Sequence, residues 1–279
     1  MKRQFYDFLF FVLTFFCTLI VIGLFYQIIR FVFVNGLPVL TKQLSGIQAT
    51  DSLSPVRLQQ MVVSTLFLTL VTLLLMLPFA VSAAIYLHEY AKNNIIARAT
   101  RFCVQTLASI PSIVYGLFGM LIFVQQLGFG MSIMAGAGTL AVMLTPIIMT
   151  QTENALSQVP KSYREGSASL GATSFETLKT VILPTATPGI LVSVLLAIGR
   201  IISESAALLF TIGTFVKMPI NRQTGLLSTM ETGTTLTIRA LIEFKEYGNL
   251  EAAAAIGIIT ISVAIVLNLS SKLIVWMFN

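Results

Sequence analysis

The chain has 279 residues, a net charge of +6 and a mean hydropathy of +0.90; 56% of its residues are hydrophobic and 10% charged. Soluble domains carry roughly 25% charged residues, so the composition excludes a water-covered globule and points to a chain embedded in lipid. No basic run with interleaved aromatics occurs, which argues against nucleic acid as a partner; in membrane chains, Lys and Arg collect at the cytoplasmic face.

A spanning helix needs about 20 mostly apolar residues. Six stretches satisfy this: residues 8–33, 60–86, 102–124, 132–149, 185–212 and 251–278. The expected fold is all-α and polytopic, with about six transmembrane helices. The first stretch follows Met1, Lys2 and Arg3 and is too long for a signal-peptide core, so it is expected to remain as an anchor. Residues 35–59, with Gly36, Pro38, Gly46 and Pro55, read as an irregular loop. Cys17 and Cys103 lie in apolar stretches and are expected to be small buried hydrophobes rather than disulfide partners.

The second stretch ends at His88 and Glu89. A zinc-protease helix would need a second histidine at position 92, which is Lys92. His88 therefore reads as an interfacial side chain. No Gly-x-Ser-x-Gly elbow or Walker A loop occurs, so the chain is not expected to be an enzyme or to hydrolyse ATP alone. No cofactor or metal is expected. Gly128 and Gly130 mark a tight turn over residues 125–131. The small residues Gly136, Gly138, Ala252, Ala255 and Gly257 are expected to let helices approach closely in lipid.

Residues 150–184 are long and polar. Within them, the run VPKSYREGSASLGATSFETLKTVILP (159–184) reads as two short helices. Pro160 suits a helix start, Ser162 and Glu165 fit a capping box, Gly171 permits a bend, Ser174 suits a second cap, and Pro184 should end the stretch. Such a helix–bend–helix presents a knob that fits a partner's groove; a solvated loop is the plainer alternative.

The fifth stretch contains Arg200 and Glu204, four residues apart and so on one helical face. Ionised groups inside a span are costly. They face a pathway or each other. Arg200 suits an oxyanion, because its planar fork makes bidentate, charge-assisted bonds. A structural ion pair is the alternative, and the two roles are compatible. Counting with the N-terminus inside, nine of the 17 Lys and Arg residues fall in inner segments and seven in outer ones, a slight bias toward cytoplasmic termini.

The spacing of Glu165, Gly171, Val181, Leu183 and Pro184 resembles the EAA loop of ABC importer permeases. That consensus reads Glu-Ala-Ala, three residues, Gly, nine residues, Ile, any residue, Leu-Pro. Gly166 and Ser167 replace the two alanines here, and Val181 replaces Ile. The runs LASIPSIVYGLFG (107–119) and AIGRIISESAALLFT (197–211) are similar to signatures of phosphate importer permeases, more of the A-type (PstA) than of the C-type. The second departs from the common form at Ser203 and Ser205.

The resemblance covers roughly residues 60–279. It implies a MetI-like permease core of five helices there, with residues 150–184 as cytoplasmic coupling helices, and residues 1–59 as an added helix and extracytoplasmic loop. Glu165, Gly166, Gly171, Leu183 and Pro184 would couple to an ATPase; Arg200 and Glu204 would line the phosphate path. The implied partners are two copies of an ATP-binding subunit, a second homologous permease of the C-type, an extracytoplasmic phosphate-binding protein, phosphate and membrane lipid. The segment 213–250 is a candidate contact for that binding protein. The implied location is the bacterial inner membrane, with both termini cytoplasmic. A permease for molybdate or sulfate, a stand-alone secondary transporter and an intramembrane enzyme are the competing readings.

Overall fold

The first helix is longer than its apolar run. In the computed structural model, which describes residues 2–44, 53–91, 94–220 and 226–277, helix α1 spans Lys2–Leu44 and passes through Pro38. Residues 35–44 are therefore helical, not an irregular loop. Side-chain donors support the backbone there: Asn35 Nδ2 donates to Phe31 O at 2.8 Å, and Thr41 Oγ1 to Pro38 O at 3.0 Å. Gly46, Lys92, Arg222 and Phe278 lie outside the described residues.

Helix α2 (Pro55–Ile85) opens on proline, whose missing N–H costs nothing at a first position. Its buried stripe repeats every three or four residues: Met61, Ser64 and Thr65, Leu68 and Thr69, Thr72, Met76, Ala80, Ala84. It runs into a wider π-helical turn, Tyr86–Tyr90. Helices α3 (Ile95–Ala108) and α4 (Ser112–Gly119), the latter extended by a π-helical stretch Met120–Gln126, meet at a 97° bend. The expected continuous span 102–124 is thus a broken pair. Pro111 is the cause: it disfavours helical backbone at Ile110 and cannot donate to the preceding turn. The Tyr115 hydroxyl donates to Leu107 O at 2.9 Å across the break.

Helix α5 (Ile133–Ser157) starts at Ser132, whose side chain accepts from Ala135 N, and continues past the expected end at residue 149. It packs against α3 and α4 and against α8, which spans Leu183–Ser203. Leu140, Leu144, Ile148 and Leu156 are fully buried along it. Lipid tails are as apolar as leucine, so close packing rather than burial from water holds such a bundle. Accordingly, a Cβ on Gly136 or Gly138 would press on Leu208 and Ile212 or on Phe123, at 3.0–3.3 Å.

Between α5 and α8 lie α6 (Lys161–Ser169), α7 (Ser174–Thr177) and a π-helical turn, Leu178–Ile182. Then α9 covers Leu236–Lys245 and α10 covers Leu250–Met277. By length and apolarity, five helices among the described residues are long enough to cross a membrane, or six with the bent pair counted as one. No strand forms among them beyond a single bridge, Ile220 to Leu227.

The chain divides into two units, Met1–Pro55 with Ala240–Ile259, and Val56–Arg239 with Thr260–Asn279. In the first, Gly36 brings α1 onto the start of α10: a Cβ there would lie 2.8 Å from the Ala254 backbone. The rest of α1 exposes Phe10, Phe11, Phe16, Ile20 and Phe25, as a lipid-facing helix does. Cys17 and Cys103 are also exposed free thiols, not buried. An apolar solvent makes outward-facing small hydrophobes as favourable as inward ones. The second unit carries the sites described next.

Candidate functional site

Two places gather the chemistry. The first is the polar segment. Pro160, not Ser162, stands at the N-cap of α6, and the expected box between Ser162 and Glu165 does not form. Proline's fixed φ takes that position without a side-chain cap. The helix closes in a full Schellman motif: Gly171 N donates to Ala168 O at 2.9 Å and Ala172 N to Ser167 O at 3.2 Å. The motif requires left-handed backbone at Gly171, where φ is +84°.

The second cap is Thr173, one residue before the expected Ser174. It forms a true capping box, with Thr173 N donating to Glu176 Oε2 at 2.8 Å and Glu176 N to Thr173 Oγ1 at 3.3 Å. Pro184 does not end the stretch. The π-helical turn widens just ahead of it, so Leu183 N reaches Leu178 O, and helix continues from Ser174 to Ser203. The hydroxyls of Thr185 and Thr187 donate to the Val181 and Leu183 carbonyls at 2.7 Å, as further i to i−4 bonds beside Pro184 and Pro188.

No residue of α6 is buried. Glu165 and Gly166 are exposed, and nothing lies within 4 Å of a Cβ on Gly166. Leu170 is 91% exposed, and Phe175 and Tyr163 also face outward. Leu183 packs against Leu156, Val159, Leu178, Ile182 and Ala186, while Pro184 is exposed. The knob thus has an apolar root and an unpartnered tip.

Beside this knob lies a charged network that sequence reasoning missed. Arg164 on α6 donates to Glu89 Oε1 at 2.8 Å, to Val159 O at 3.0 Å and to Leu156 O at 3.4 Å, with His88 Nε2 also 3.4 Å away. Arg101 on α3 donates through Nε to Glu153 Oε1 at 2.8 Å and through Nη2 to Leu87 O at 2.9 Å. His88 thus joins a charged cluster at the end of α2. The available signal was charge placement: Glu89, Arg101 and Glu153 stand near the ends of apolar runs, and Arg164 lies in the polar segment between two of them.

The second place is the end of α8. Helical backbone stops at Ser203; Glu204 is the C-cap, with ψ 127°. Arg200 and Glu204 are therefore not mid-helix but at a break, and residues 204–212 form turns and a short 3-10 helix, Leu208–Phe210, rather than the rest of a span. They remain paired, Arg200 Nη2 to Glu204 Oε2 at 3.3 Å, with side-chain exposures of 53% and 4%. The buried carboxylate also accepts from Ala207 N at 3.4 Å, and the Glu204 carbonyl accepts from Thr237 Oγ1 at 3.1 Å. Close approach fixes this turn: a Cβ on Gly116 would lie 2.8 Å from Ala207 Cα. A buried anion thus anchors a half-exposed cation in the last turn of a helix, where the backbone dipole also favours positive charge.

Residues 76–277 match the family of binding-protein-dependent transport system inner membrane components. The chain belongs to this family. It is 34% identical over 71% of its length to a probable ABC transporter permease protein, YqgI, of Bacillus subtilis, covering 67% of that protein. It is 36% identical over 70% of its length to a probable phosphate transport system permease protein PstA of Methanocaldococcus jannaschii, covering 69% of it. Among solved structures, a chain of the MetNI methionine ABC transporter in an inward-facing conformation superposes with a TM-score of 0.65 at 18% identity, covering 83% of this chain and all of that one. That likeness establishes the MetI-like permease fold.

Proposed function

We propose that the chain is the A-type permease of an ATP-driven phosphate importer and forms half of the path for inorganic phosphate. The observation that carries the substrate is Arg200. Its guanidinium is half exposed, yet tethered by a buried carboxylate that uses one Nη and leaves further donors open. Phosphate accepts such donors bidentately. Glu204 tempers the attraction, and transport requires binding weak enough to release.

In this reading the tip of the polar segment docks an ATPase subunit. Glu165, Gly166 and Gly171 shape it, and Leu183 and Pro184 root it in α8. Exposed Tyr163, Leu170 and Phe175 support docking, since isolated apolar side chains on a polar knob gain from a partner's groove. That end faces the cytoplasm with both termini. Residues 60–279 make the permease core; residues 1–59 are an addition to it. The complex holds two ATPase copies, a C-type permease and an extracytoplasmic phosphate-binding protein, which meets segment 213–250, in an inner membrane. In this reading hydrolysis belongs to the ATPase subunit.

The test is a pull-down of the tagged chain from membranes, followed by an ATPase assay with phosphate-loaded binding protein. Co-purifying ATPase and second permease, with hydrolysis raised by phosphate and not by sulfate or molybdate, is the expected result. A chain that purifies alone and still transports contradicts the reading, as does a preference for either other oxyanion.

A further inference from the structure

Helix α6 buries no side chain, so apolar packing does not fasten it to the bundle. Two contacts do so from its own residues. Ser167 Oγ lies 2.9 Å from Thr177 Oγ1, which joins α6 to the start of the next helix. Arg164 does more. It reaches the carbonyls of Leu156 and Val159 at the end of α5 and the Glu89 carboxylate on the π-helical turn that ends α2.

That turn is gripped twice. Glu89 is held by Arg164, and two residues earlier the Leu87 carbonyl is held by Arg101, itself fixed to Glu153 on α5. Both arginines line one depression of about 500 Å3, together with His88, Ser157, Lys161 and Glu165. The Arg164 and Glu89 side chains are 19% and 12% exposed, so water screens their attraction less than at an open surface. π-Helical turns recur at functional sites, where the ladder of hydrogen bonds is already irregular.

We propose that Arg164 is a positioning residue for transport: with Glu89, it pins α6 to the ends of α2 and α5, so that the three move as one body. The inference rests on the reading that α6 docks an ATPase. A displacement imposed on α6 reaches α2 directly through this ion pair. Without it, the chain connection through residues 158–160 and the Ser167–Thr177 contact remain, and neither touches α2. Coupling between distant sites needs an element whose position both ends bias. The pinned body is that element.

The experiment measures phosphate imported per ATP hydrolysed by the whole complex in proteoliposomes with its binding protein. Arg164→Ala is expected to retain the ATPase subunit and its hydrolysis but to lower the ratio about tenfold, within the range of allosteric coupling effects. Glu89→Ala should lower the ratio in the same direction, and the double variant should be no worse than Arg164→Ala, because each single variant already removes the ion pair. Glu89→Gln, which keeps the size and the acceptor oxygen, should recover part of the ratio, and Glu89→Ala stands in if Arg164→Ala does not assemble.

An unchanged ratio in Arg164→Ala or Glu89→Ala with the ATPase bound overturns the pin alone, as do losses in the two single variants that multiply in the double. Absence of an ATPase from wild-type preparations overturns the docking reading instead.

Discussion

Arg164 meets a carboxylate and two carbonyls with 19% of its side chain exposed, whereas Arg200 meets one carboxylate with 53% exposed. Arg101 resembles Arg164: a carboxylate and a carbonyl take its Nε and Nη2. Guanidinium offers five N–H donors. Where the protein engages two or three of them on separate helices, the side chain ties those helices together. Where most stay open beside a helix break, it has capacity for an anion. On the proposed reading, the same residue type serves as a joint at the α6 end and as an anion ligand at the α8 end, and the partners decide which.

The comparison is sharpened by substitutions that attack one end only. Glu204→Ala should have the largest effect on stability. It leaves Arg200 without its partner and the Ala207 N–H without an acceptor, at a cost of about 1–3 kcal/mol for the buried group. A thermal denaturation midpoint of the purified complex reads this loss, and Glu204→Gln should recover much of it. Gly116→Val follows, because its side chain would be driven into Ala207; overpacking costs roughly 1–3 kcal/mol. Lower expression and melting, with ATPase binding unaffected in whatever assembles, is the expected outcome.

At the other end, Gly171→Ala forces left-handed backbone on a residue with a Cβ, at about 1 kcal/mol or somewhat more. Retention of the ATPase subunit in pull-downs should fall, while melting of the spans changes little. Thr173→Ala should be the mildest. It removes the capping box at a typical cost of about 1 kcal/mol, and partial protease nicking of residues 169–173 is the readout. If the Gly171 and Thr173 variants lowered phosphate affinity, or Gly116→Val released the ATPase selectively, the division between the two ends would be wrong.

How much of this was legible in the sequence depended on range. Gly171 stood out because a Schellman turn is a local object, specified by residues 167–172 alone. The apolar stretches were equally legible, since about 20 apolar residues in a row have few other uses. Helix ends were less so. The π-helical turn before Pro184 let the helix run on through a residue that usually stops one, and Thr173 took the capping role because Glu176 stands three residues after it. At the α8 end, apolar residues continue through Phe210, so hydropathy hid the break at Glu204. The pin between Glu89 and Arg164 was out of reach, because 75 positions separate the two residues and no local pattern links them.

The most direct test of the division between the ends is Arg200→Ala in the reconstituted complex, with phosphate uptake and ATP hydrolysis measured on the same proteoliposomes. Hydrolysis stimulated by the binding protein is expected to persist, because the α6 end is untouched, while phosphate uptake is lost. Uptake unchanged, or hydrolysis and uptake lost together from an intact complex, would contradict it.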